Sequence, residues 1–284
     1  MDIVNVENIC KSYDGFKLSN VTFDIPKGHV VGIVGENGSG KTTTIKSILN
    51  IINIDSGNVK IFGLDSKKSE KTIKENIGVV LDDSFIPGYY TIVDIDKMMS
   101  IIHKNWDSKL FDYYITKFKL PKNKEIKHFS KGMYIKTKIA AAISYNPKLL
   151  ILDEPTSGLD PIARSDMLDI FRDYMKDNEH AIFISSHITT DLEKLADDII
   201  FIDDGKIILN KTREELLNDY LLVTCTHEQF DTIDSNDYIN YKRNRFDCEL
   251  LVDKNIDYKE KYNIDNIVKP NLEKIMIIYI RGDK

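Results

Sequence analysis

The chain has 284 residues, 42% of them apolar, which suffices for one large domain plus a small one and excludes a disordered chain. Its formal charge of −6 gives no global electrostatic reason to bind nucleic acid, so no nucleic-acid partner is expected. Cys10, Cys225 and Cys248 lie far apart without a CxxC pair, so reduced thiols in a cytosolic protein are expected rather than zinc or redox chemistry.

Residues 1–10 carry acids and no long apolar run, unlike a signal peptide, and no stretch of about 18 apolar residues predicts a membrane span. Residues 2–10 and 20–25 are predicted strands, the second from the alternation of Val21, Phe23 and Ile25. His29–Val34 is a short, nearly all-apolar strand ending at Gly35. A helix is predicted after it, with Ile45, Ile48, Leu49 and Ile52 on one face. Residues 57–63 return to strand. From 91 to about 144 the pattern is helical, with one stripe of Ile92, Ile95, Met99 and Ile102 and a later one of Ile135, Ile139, Ala142 and Ile143.

Leu149–Leu152 is a predicted buried strand. Asp160 followed by Pro161 reads as an N-cap and a first-turn proline, and Met167, Ile170, Phe171 and Tyr174 give that helix its apolar face. Ile182–Ser185 is another strand, and Thr190 and Glu193 have capping-box spacing for the next helix. Ile199–Ile202 and Ile207–Leu209 flank the turn pair Asp204-Gly205. The run 275–280 has the length of a buried strand or helix segment. Alternating strand and helix predicts an α/β fold with a mostly parallel, covered sheet. To it are added antiparallel strands at the start and a helical insertion at about 84–145. The more polar residues 212–284 are expected to form a small C-terminal domain.

Two motifs carry chemistry. Gly35-Glu36-Asn37-Gly38-Ser39-Gly40-Lys41-Thr42 satisfies GxxxxGK[ST] between a predicted strand and helix. Glycines let backbone N–H groups curl around phosphate oxygens, and the helix N-terminus adds partial positive charge there. Lys41 is placed to reach the β and γ phosphates, and Thr42 to ligate Mg²⁺. Leu149-Leu150-Ile151-Leu152-Asp153-Glu154 then puts two acids at the C-terminal end of a buried strand, where open α/β sheets bind ligands. Asp153 is the candidate Mg²⁺ holder, and Glu154 the candidate acceptor of a proton from attacking water.

The run from Leu152 through Pro155, Thr156, Ser157, Gly158, Leu159 and Asp160 to Pro161 resembles the Walker B and D-loop segment of ABC ATPases. The resemblance extends over roughly 1–210 with every expected element in order. It implies a P-loop NTPase (RecA-like) core with an antiparallel β subdomain and a helical subdomain, within an ATPase domain at 1–211. It also implies ATP and Mg²⁺ as cofactors. Tyr13 matches the residue that stacks on adenine, and Thr43 falls beside the phosphate loop. His187 matches the switch histidine, which with Lys41 and Glu154 completes the catalytic set.

Phe129-Ser130-Lys131-Gly132-Met133 occupies the place of the family signature LSGGQ, with Lys131 where a glycine is usual. In the family this segment contacts ATP held by the other subunit, so Ser130, Lys131, Gly132 and Met133 are expected to act in trans, in a dimer of this chain or with a related one. Asp82 stands where the Q-loop glutamine is usual and is a further candidate metal ligand. The segment after it, with Phe85, Tyr89 and Tyr90, is the expected contact to a separate membrane permease. Lys269–Met276 resembles the C-terminal motif of ATPases serving ABC-2-type exporters of amphipathic peptides. A cytoplasmic protein, peripheral on the inner membrane face, is implied. An importer ATPase with a regulatory C-terminal domain and a non-transport ABC ATPase stand as alternatives.

Overall fold

The computed structural model describes residues 2–83 and 85–282; the expected start of the helical insertion at 84 lies outside the described residues. The chain opens with a hairpin of β1 (Asp2–Tyr13) and β2 (Phe16–Pro26), longer than the two predicted strands, turning at Asp14–Gly15. β3 (Val30–Val34) follows, then α1 (Lys41–Ile48), β4 (Ser56–Ile61), the two-residue β5 (Leu64–Asp65), α2 (Glu70–Lys74) and β6 (Ile77–Val80). Three helices come next: α3 (Ile92–Ile102), α4 (Ser108–Lys117) and α5 (Lys131–Ile143). The chain continues through β7 (Leu149–Asp153), α6 (Pro161–Tyr174), β8 (Ala181–Ser186), α7 (Thr189–Leu195), β9 (Asp198–Asp203) and β10 (Lys206–Thr212).

Strand order in the central sheet is β10-β9-β3-β8-β7-β6, parallel except for the β9–β10 hairpin. Every residue of β3, β7 and β8 is buried, as their apolar runs require of strands covered on both faces. On one face, Ile33, Ile151, Phe183 and Ile45 of α1 share a core with the antiparallel sheet β2-β1-β4-β5. On the other, α3 to α7 supply Ile139, Met167, Phe171 and Leu192. α5 lies close over β6, because a Cβ on Gly78 would stand only 2.6 Å from the Ala142 carbonyl.

The last segment forms α8 (Arg213–Asn218), β11 (Tyr220–Cys225), α9 (His227–Phe230), β12 (Asn240–Arg243), β13 (Cys248–Asp253), α10 (Tyr258–Tyr262), β14 (Ile267–Val268) and α11 (Leu272–Arg281). Its strands pair as a separate antiparallel sheet, β12-β13-β11-β14, with a core around Val223, Leu250 and Tyr258. Leu272, Ile275 and Ile278 of α11 nevertheless join the main core.

Two local expectations are corrected. The Thr190–Glu193 capping box does not form: α7 is capped by Ile188 without a side-chain bond, and Ser186 Oγ accepts from the Ile188 N–H. Glu193 Oε1 instead accepts from the Leu272 N–H at 2.6 Å and so serves the first turn of α11. The α3 stripe is buried at Ile92 and Ile95, but Ile102 is 61% exposed because nothing among the described residues covers the end of the helix.

Candidate functional site

Gly40 caps α1 with φ +113, a conformation open to glycine and costly for other residues. A Cβ there would also crowd Phe16, 3.1 Å away. The loop before α1 and the first turn of that helix border a cavity of about 640 Å³ lined by Asn37, Gly38, Gly40, Lys41, Thr42 and Thr43. Asp82, Asp153 and Glu154 also line it. Gly35 is buried at the end of the loop nearest β3.

Lys41 is buried, and its Nζ donates to the Gly35 carbonyl at 2.8 Å and the Glu36 carbonyl at 3.1 Å. Burial pulls its pKa below the ordinary lysine value, and the nearby Glu154 and Asp153 carboxylates push it back up. The Ser39 hydroxyl is buried and makes no hydrogen bond among the described residues. Ser39 is not among the residues lining the cavity; its Oγ lies 2.5 Å from where a Cβ on Gly35 would stand.

Thr42 Oγ1 donates to Asp153 Oδ2 at 2.9 Å, and Ser185 Oγ donates to Asp153 Oδ1 at 2.6 Å. The same Ser185 hydroxyl accepts from the Glu154 N–H at 3.0 Å. Glu154 has φ +50, a left-handed conformation that costs a non-glycine residue about 1–3 kcal/mol. That turn directs its carboxylate to His187, whose Nδ1 lies 2.5 Å from Oε2. Lys41 Nζ is 3.8 Å from the other oxygen.

Among the described residues, no group of three or more His, Cys, Asp or Glu is arranged to hold a metal by itself. Thr42, Asp153 and Asp82 do share one wall, a donor set suited to Mg²⁺ that shares its coordination with phosphate oxygens.

Tyr13 is placed at the hairpin end, 47% exposed with the Lys11 ammonium 5.4 Å above its ring, and the cavity edge is formed instead by Gly15 and Phe16. Ser130, Lys131, Gly132 and Met133 do not line this cavity. Ser130 Oγ caps α5 by accepting from the Met133 N–H. Lys131 Nζ lies 2.9 Å from where a Cβ on Gly158 would stand, and Gly132 faces Leu159. Signature and D-loop segments thus pack together within one chain. Ser157 is half-buried between Thr156 and Gly158, and Asp160 caps α6 through the N–H groups of Ile162 and Ala163. Phe85 and Tyr89 are exposed, while Tyr90 is half-buried against the main core.

Sequence reasoning missed Phe16, Ser185 and Asp191. The buried Asp191 accepts from Thr156 Oγ1 at 2.7 Å and ties the segment after Glu154 to α7. An aromatic residue between the two predicted opening strands is the available signal for Phe16; the other two are recognisable only by their distant partners.

A covered parallel sheet with a phosphate loop after β3 and two acids ending β7 defines a P-loop nucleoside triphosphatase. The sequence model of the family described as ABC transporter matches residues 18–157. The chain is 34% identical over 227 residues to the bacitracin transport ATP-binding protein BcrA of Bacillus licheniformis, covering 77% of this chain and 71% of that protein. It is likewise 34% identical over 229 residues to the lantibiotic transport ATP-binding protein SrtF of Streptococcus pyogenes, covering 78% and 98%. The structure of cbiO1 from Clostridium perfringens, part of the ABC transporter complex cbiONQ, matches with TM-score 0.64 at 26% identity. That match covers 76% of this chain and 90% of cbiO1. The chain belongs to the ATP-binding subunits of ABC transporters and is an ATPase.

Proposed function

We propose that this chain supplies energy to an exporter of amphipathic peptides by acting on a separate membrane permease. The observation that carries this is its 34% identity, over most of its length, to subunits named for bacitracin and lantibiotic transport. The Lys269–Met276 segment, with its resemblance to exporter ATPases, points the same way. No helix among the described residues is long and apolar enough to cross a membrane, so attachment to the membrane is assigned to the permease.

The reaction follows from the site. The loop backbone and Lys41 bind the ATP phosphates, with Asn37, Gly38 and Thr43 shaping the cradle and the buried Ser39 packed within the loop. Mg²⁺, held by Thr42 and Asp153 with Asp82 on the same wall, would supply charge neutralisation at the phosphates. Glu154 accepts a proton from the attacking water, and His187 fixes the orientation of that carboxylate. Phe16 and Tyr13 are proposed to meet the adenine side of the nucleotide.

Ser130 to Met133 stand outside the cavity of their own chain, which supports their action on ATP held by a second subunit through the N-terminus of α5. Two chains then complete two sites, with Ser157 to Asp160 at their junction. An apolar groove of about 520 Å³, lined by Leu49, Ile51, Ile86, Met98, Met99 and Ile102, adjoins the segment carrying Phe85, Tyr89 and Tyr90. This groove and segment are the proposed permease seat; exposed Ile102 and Phe85 suit an apolar helix. Residues 1–211 are proposed as the ATPase domain and 212–284 as an accessory domain, supported by the separate sheet of the latter.

The test is affinity purification from membranes followed by peptide efflux assays in cells with and without the chain. Recovery of a permease, and loss of efflux without the chain, is expected. Recovery with a solute-binding protein and an uptake defect would replace export by import.

A further inference from the structure

Lysine is a poor resident of a protein core, because removing an ammonium from water costs several kcal/mol unless partners compensate. Lys138 sits in the apolar middle of α5, 9% exposed, beside Ile139 and Ala140 to Ala142. Its Nζ donates to the Leu81 carbonyl at 2.6 Å and lies 5.1 Å above the Tyr134 ring. Leu81 is buried directly before Asp82, the carboxylate on the wall of the phosphate cavity.

The same short segment is held at two further points. Lys46 of α1 donates to Asp83 at 2.6 Å, and the Ile86 N–H donates to the Tyr134 hydroxyl at 2.8 Å. Asp82, Asp83 and Asp153 all act favourably on the buried Lys138 ammonium against the cost of its burial. Lys138 also lines the apolar groove that holds Ile86, Met99 and Ile102.

We propose that Lys138 is a positioning residue for ATP hydrolysis: it fixes the backbone just before Asp82 and balances that carboxylate, so that Asp82 is presented to the phosphate cavity. A shorter carboxylate where glutamine is usual needs both its main chain placed and its charge offset. One buried ammonium reaching from the signature helix does both. The inference rests on the proposed role of Asp82 in the site, and it makes α5 a direct mechanical link between the signature segment and that carboxylate.

The experiment is a double-mutant cycle of Lys138→Met and Asp82→Asn in the full chain, with hydrogen exchange measured without nucleotide. Each single variant is expected to lose about ten-fold or more in kcat, the range for misplacing a reacting group. The ATP KM of Lys138→Met should stay within about three-fold, since the phosphate loop is untouched. The double variant should be no slower than the slower single, because Lys138 acts through Asp82. Exchange at the amides of Leu81, Asp82 and Asp83 should rise in Lys138→Met before any ATP is added. If Lys138→Met does not fold, Lys138→Gln, which keeps a donor but no charge, enters the same cycle.

Independent, multiplying losses in the double variant would show a general structural role and overturn the proposal. So would near-parental turnover with unaltered exchange in the single lysine variant. A silent Asp82→Asn would instead remove the assignment of Asp82, and the inference with it, while a Lys138 effect confined to melting temperature would leave Asp82 standing and Lys138 structural.

Discussion

Replacing Glu154 by glutamine should separate binding from hydrolysis. The carboxylate is 3.8 Å from Lys41 Nζ and both groups are largely buried. At an effective dielectric of about 20 the gross attraction is on the order of 4 kcal/mol, much of it offset by desolvating the two groups. Glutamine forfeits that attraction, yet Lys41 keeps its bonds to the Gly35 and Glu36 carbonyls. The change also removes one negative charge beside the phosphate cavity, so ATP affinity should hold or tighten. Without a proton acceptor, hydrolysis should fall about 10²–10⁴-fold. The measurements are steady-state phosphate release, binding of a fluorescent ATP analogue, and size-exclusion chromatography with ATP, in which the variant should accumulate as a dimer. Turnover close to the parent's would refute the assignment of Glu154; lost nucleotide binding would instead show that its main service is to hold Lys41.

Ser185→Ala should destabilise the protein by about 1–3 kcal/mol, because it strips a buried bond from Asp153 and another from the Glu154 N–H. Calorimetry and turnover should fall together, and an unchanged melting temperature would contradict the shared bonding. Lys131→Glu should depress hydrolysis more than Lys131→Gly, since it sets a like charge near ATP phosphate; equal, small effects would mean the side chain points to solvent in the dimer. Tyr89→Ala with Tyr90→Ala should weaken permease binding or transport and leave ATP affinity of the isolated subunit nearly unchanged. Because Tyr90 is half-buried against the core, thermal unfolding is measured alongside, and intact transport would remove this surface from the coupling path.

Most of the residues of the proposed phosphate site that the chain itself singles out do line one cavity in the structure. A phosphate loop is a local object: its glycines, Lys41 and Thr42 fall within residues 35–42, and the task proposed for them depends on backbone conformation and the following helix. Asp153 and Glu154 were legible for the same reason, as acids ending an unbroken apolar strand. The Asp204-Gly205 hairpin formed as its residue types dictate, with φ +41 and +69.

What tertiary structure decided depends on groups far apart in sequence. Ser185 meets Asp153, and Asp191 meets Thr156, only because β7 and β8 are neighbours and α7 returns beneath them. Glu193 had the spacing of a cap for its own helix, but α11 presents unpaired N–H groups beside it, and the carboxylate serves those instead. Lys138 carries no signal in the chain by itself; only packing buries it and sets its Nζ on the Leu81 carbonyl. A sequence fixes its local backbone preferences and its alternation of apolar positions. Which distant donors must find which acceptors is settled only when packing excludes water and leaves each buried polar group to its protein neighbours.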